Sequence, residues 1–98
     1  MTPQNLLTLA ETDFTDGTLV EYVLDCGLQR RALGITGRTY ADGCLRIRAG
    51  PTEVQVREGH MRSLREEGGV FYVRLSGDFK YALAPKGVQI PNRAYPEN

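Results

Sequence analysis

Residues 43–59 read GCLRIRAGPTEVQVREG, and how this stretch is taken decides the fold. Leu45, Ile47, Ala49, Val54 and Val56 alternate with polar residues at period two, the spacing of a half-buried strand and not of a helix. Gly50-Pro51 interrupts the alternation at its centre. A two-residue turn there closes a hairpin with Ala49 opposite Thr52, and counting outward sets Ile47 against Val54 and Leu45 against Val56. Those four apolar side chains then share one face. The other face carries Arg48 opposite Glu53, Arg46 opposite Gln55 and Cys44 opposite Arg57. Arg46 and Arg48 would stand ~7 Å apart along the strand, where two charges in water repel by only about 0.6 kcal/mol before salt screens them. That is too little to demand an anionic ligand, so the arginine row reads first as the wet side of a sheet.

A second hairpin follows in residues 69–85, GVFYVRLSGDFKYALAP. A three-residue loop at Ser76-Gly77-Asp78 aligns Phe71, Val73 and Leu75 with Leu83, Tyr81 and Phe79 on one face. The opposite face sets Arg74 against Lys80 with Tyr72 alongside, and like charges opposed across a ladder are unfavourable. A ring flanked by two cations is also the chemistry that stacks an unpaired base while holding its phosphate. Tyr72, Arg74 and Lys80, helped by Arg46 and Arg48, are therefore the candidate nucleic-acid-binding residues. In the competing reading Glu66, Glu67 or the acidic N-terminal segment covers the patch, and Tyr72 is a core or interface aromatic.

Outside the two hairpins, turn residues recur at Asp16-Gly17, Gly27, Gly37, Gly68-Gly69 and Pro85-Lys86-Gly87. Strands are predicted near 18–26, 29–36, 43–49, 52–58, 70–76 and 79–84, with a weaker one at 87–90. His60-Met61-Arg62-Ser63 reads as a helical turn or a loop. Thr2-Pro3 has the form of a helix start, and Leu6, Leu9 and Ala10 behind it predict a short helix over about residues 3–12. Brief alternating runs between frequent turns make a mainly β (α+β) fold: a small antiparallel barrel or strongly bent sheet of roughly five or six strands, with one short N-terminal helix. Residues 1–90 read as a single globular domain. Residues 91–98, PNRAYPEN, read as a loose tail unless Tyr95 docks it.

At 98 residues, with 41% hydrophobic and 24% charged side chains, the chain supports one modest core. No apolar run approaches the ~20 residues that cross a membrane, and the start lacks the features of a signal peptide, so the expectation is a cytoplasmic protein with no membrane partner. The formal net charge of zero hides a polarity. Residues 1–25 carry Glu11, Asp13, Asp16, Glu21 and Asp25 without a Lys or Arg, whereas residues 26–65 carry eight Arg against Asp42, Glu53 and Glu58. Either the two segments neutralise each other in the fold or each offers a face to a partner.

Chemistry-bearing motifs are thin. Cys26 and Cys44 are too few for a disulfide framework and read as reduced thiols. His60, the single histidine, has Ser63 within a turn of it and no third group to complete a nucleophilic site, and Glu58-Gly59-His60 offers two metal ligands without a third. Gly34-Ile35-Thr36-Gly37-Arg38-Thr39 lacks the Gly-Lys-Ser/Thr ending of a phosphate loop. No catalytic residue, metal or cofactor is expected, and no motif carries a family resemblance.

What remains is a non-enzymatic binding or assembly module, acting on a protein partner or on itself as a homodimer. Self-association is suggested because Leu19 and Val23 face away from Val20, Tyr22 and Leu24, which leaves the first strand apolar on both sides. Cover by the opening helix is the competing explanation. Single-stranded nucleic-acid binding through the basic-aromatic face and a small-ligand-binding barrel are the alternative functions.

Overall fold

Seven strands follow a short helix in the computed structural model, which describes residues 5–22 and 29–96. They are α1 (Leu6–Glu11), β1 (Thr18–Tyr22), β2 (Gln29–Ala41), β3 (Cys44–Ala49), β4 (Thr52–Arg57), β5 (Met61–Glu67), β6 (Val70–Leu75) and β7 (Lys80–Ala84). Single 3-10 turns at Glu58–His60 and Ser76–Asp78 link β4 to β5 and β6 to β7. Every pairing is antiparallel, in the order β4-β3-β2-β1-β7-β6-β5, and the sheet curls into a half-barrel. The mainly β architecture with one N-terminal helix is as expected, with seven strands in place of five or six.

The hairpin of β3 and β4 has the register that its alternation requires. Ala49 faces Thr52, Ile47 faces Val54, Leu45 faces Val56, and Arg48, Arg46 and Cys44 face Glu53, Gln55 and Arg57. In β6 and β7, Phe71 faces Leu83, Val73 faces Tyr81 and Arg74 faces Lys80, closed by a Leu75 N–H to Phe79 carbonyl bond of 2.7 Å. Gly77 sits at φ +79, in the left-handed region that only glycine enters freely.

β2 is long because two partners share it. Residues 29–34 pair with β1 and residues 35–41 with β3, with a register shift between Ile35 and Gly37 at the handover. Such a bulge bends and twists a strand, and here it turns the corner between the two halves of the sheet. Gly37, counted among the turn residues, therefore lies within this bulged strand. The Arg48 guanidinium lies over Gly37, where a Cβ would stand 2.9 Å from it and move that flexible side chain aside.

The predicted helix start falls elsewhere. Thr2 and Pro3 lie outside the described residues, and the N-cap is Asn5, whose side chain accepts from the Thr8 N–H at 3.2 Å. A six-residue helix is not stable on its own in water. Distant side chains hold both its ends: the Glu58 carboxylate accepts from the Leu6 N–H at 3.2 Å, and Arg38 donates to the Ala10 carbonyl. A carboxylate at the N-terminus and a guanidinium at the C-terminus are also the charges that the helix dipole favours.

With α1 so held, Leu6 and Leu9 press into the concave face of the sheet together with Phe14. They meet Leu19, Ile35, Leu45, Ile47, Val54, Val56, Phe71, Val73, Leu75 and Leu83 in one cluster, and Phe14 sets its edge against Phe71 with centroids 5.8 Å apart. Full burial of a residue such as Leu9 or Phe14 is worth about 1.5–3 kcal/mol relative to exposure. The convex face has a smaller cluster of its own. Val20, Tyr22, Val70, Tyr72, Ala82 and Ala84 are covered there by Val88, Ile90 and Tyr95 from the segment after β7. Residues 87–90, read as a weak strand, are not a strand; they belong to this covering segment.

Candidate functional site

The convex face divides into two halves, and the sequence-predicted binding residues fall on both. On the half made by β1, β7 and β6, Tyr72 is 1% exposed. Tyr95 lies against it edge-on at 5.9 Å and against Tyr22 at 5.4 Å, with the Lys80 ammonium 5.6 Å from the Tyr95 ring. Buried and packed against the chain's own Tyr95, the Tyr72 ring is closed to a stacking base. The tail that would be loose unless Tyr95 docks it does have Tyr95 buried, and further contacts fasten it. Arg65 donates to the Pro96 carbonyl at 2.6 Å, and Arg93 pairs with Glu67 at 3.4 Å. Arg74 is half-buried and, with Arg62, Leu75 and Gly77, lines a polar depression of about 430 Å³.

Arg46 and Arg48 stand on the other half, over β2, β3 and β4, and Tyr72, Arg74 and Lys80 do not join them. On that half Arg48 is exposed beside Glu53, and Arg46 sits between Thr39 and Gln55. The supposed oligomer face also resolves differently. Leu19 is fully buried in the concave core under Phe14 and α1, so helix cover is what its side chain receives, while Val23 lies outside the described residues. Cys44 is a buried free thiol and His60 is exposed. Among the described residues no three His, Cys, Asp or Glu side chains converge as metal ligands, and no helix is long and apolar enough to cross a membrane.

What the strand order leaves open is the outer margin of β4. The two-residue loop makes Ala49 and Thr52 the closing hydrogen-bonded pair. Alternation along the ladder then turns the N–H and C=O groups of Glu53, Gln55 and Arg57 away from β3. Among the described residues no other backbone hydrogen bond reaches β4. The strand pairs with β3 over all six residues without a register shift. A regular edge that no other described strand pairs with is a template for another strand.

Side chains pin β4 at both ends. Arg31, paired with Glu21 at 2.7 Å, donates to the Thr52 hydroxyl at 2.7 Å, and Glu58, the residue after β4, is the one bonded to α1. Beside the strand lies a depression of about 250 Å³, lined by Glu53, Val54 and Gln55 on one side and by His60, Leu75, Ser76, Phe79 and Tyr81 on the other. Phe79, placed by the alternation on the core face, is 49% exposed here because it follows the turn at the hairpin tip. Burial, and secondly the Glu21 carboxylate, push the Tyr81 phenol above the ordinary tyrosine range, so it stays a neutral hydroxyl at the end of this depression.

Glu53, Gln55, Arg57 and Phe79 were not singled out by sequence reading as a site. TEVQVR does carry a signal, alternation with neither proline nor a central charge, but the same string suits a central strand. No family model matches the chain, and neither a curated protein nor a solved structure does.

Proposed function

We propose that this chain is a non-enzymatic protein-binding module that accepts an extended segment as an additional strand along β4. The observation that carries the reading is the pinned, regular β4 margin, whose outward backbone groups at Glu53, Gln55 and Arg57 border a depression of mixed polarity with a half-exposed phenylalanine. In strand addition the main-chain bonds supply affinity and pockets for alternate side chains supply selectivity. Both components are side by side here. A strand on β4 turns every second side chain toward Val54, Leu75, Phe79 and Tyr81, so an apolar residue at that position is favoured. Because Thr52 and Glu58 already fix the strand, little conformational entropy is lost when the partner docks.

The interior of the half-barrel supports no ligand reading of comparable strength, since Leu6, Leu9 and Phe14 fill it. Arg46 and Arg48 lack a neighbouring ring on their half of the convex face, which leaves charge without the stacking that single-strand binding uses.

Panning a library of random linear peptides against the wild-type protein and against Gln55→Pro tests the proposal. The substitution removes the central outward N–H while leaving the bonds to β3, as proline on an edge strand can. Selected peptides are expected to shift the amide resonances of Glu53, Gln55 and Arg57 and to bind Gln55→Pro at least about tenfold more weakly. A library that yields no binder, or binders indifferent to Gln55→Pro, overturns the reading.

A further inference from the structure

We infer that the strand added to β4 is β4 of a second copy, paired about a two-fold axis at Gln55; the inference rests on the strand-addition reading above. Two identical antiparallel strands must meet through backbone groups that both turn outward, which here belong to Glu53, Gln55 and Arg57 alone. Within that restriction the charges choose the register. Centring on Gln55 sets Glu53 opposite Arg57 of the second copy, Gln55 opposite Gln55, and Arg57 opposite Glu53 of the second copy. Two cross-strand ion pairs form with no like charges opposed.

The alternatives do worse. A centre at Val54 or Val56 forms no opposite-charge pair, and a centre at Glu53 or Arg57 places like charges on the axis. In the Gln55 register Val54 and Val56 of the two copies also continue one apolar row, because opposed residues lie on the same face. Arg57 makes no ion pair among the described residues, and Glu53 is exposed with only a 3.2 Å bond from the Gln55 amide, so both ends of the strand have charge to spare for a partner. The contact is isologous, uses up the β4 edge of each copy, and therefore closes at a dimer.

Sedimentation equilibrium of the full chain, from low micromolar to millimolar concentration, is the test. The wild-type mass is expected to rise from monomer to dimer and stop there. Arg57→Glu faces Cys44 within its own chain and should fold normally, yet it sets Glu against Glu twice across the axis and should weaken the dimer about tenfold or more. Glu53→Arg should do the same, and Glu53→Arg with Arg57→Glu should restore association because the pairs re-form with exchanged signs. A wild type that stays monomeric overturns the second-copy inference, while the strand-addition reading stands if selected peptides still map to β4. A dimer indifferent to Arg57→Glu, or a mass beyond the dimer, also overturns it by placing the contact elsewhere.

Discussion

β4 and β5 are consecutive in the chain, separated by one turn at Glu58–His60, yet they end opposite margins of the sheet. β5 has the devices that keep an edge from recruiting another strand. Its register shifts between Met61 and Ser63, it carries Arg62, Arg65, Glu66 and Glu67 in seven residues, and two of those charges are tied to the tail. A bulge and a run of charge both oppose edge-to-edge pairing. β4 has a straight ladder, charges at the second and last positions only, and no further backbone hydrogen bond from any described residue. The same physics that makes an open edge a hazard makes it a site when one margin is left open and the other is not.

Proline substitution breaks this comparison most sharply. Val54→Pro removes an N–H turned toward β3 and is expected to cost about 3 kcal/mol or more, enough to unfold much of the population of a small domain. Gln55→Pro, one residue on, should cost about 1 kcal/mol or less because its N–H points outward. Urea denaturation of both variants measures the difference, and equal losses would mean that the outward set is misassigned.

Tyr95→Ala tests the covered half of the convex face, where the tail that ties β5 is docked. It removes a ring packed on Tyr22, Tyr72 and Lys80, and a loss of about 3 kcal/mol is expected from the unfilled space and the freed tail. A change under about 0.5 kcal/mol in the denaturation midpoint series would show that the arginine contacts alone hold the segment. Glu58→Ala should cost about 1 kcal/mol by releasing the N-terminus of α1, with faster amide exchange confined to residues 6–11 and β4.

The smallest effect is alkaline. Tyr81 is held above the ordinary phenol value, so the folded state keeps its proton harder than the unfolded state does. Its contribution is full below about pH 10 and is lost as pH rises from there through the folded value. Tyr81→Phe should flatten that decline in a thermal melt series, whereas an unchanged slope would assign it to other groups.

Both hairpins were legible down to the facing pairs because the pleat couples side-chain direction to sequence position over a few residues, and a short loop sets the parity. β5 was not. In MRSLREE only Met61 and Leu64 are apolar, and the segment is a strand because β6 lies beside it with outward groups to satisfy. The basic-aromatic patch was legible as a set of neighbours, Tyr72 beside Arg74 and Lys80, and burial of Tyr72 was one of its two readings, but among the described residues the cover is not Glu66, Glu67 or the N-terminal segment. Its cover is Tyr95, more than twenty residues along the chain.

By itself the sequence determined, for the two hairpins, which residues alternate, where the chain turns and which residues face each other, since each of these is settled within a hairpin's length. The tertiary structure alone decided which strands end the sheet and which face is covered, because both depend on contacts between segments far apart in the chain. On that second level β4, read at first as the wet side of an ordinary ribbon, becomes the open margin of the molecule.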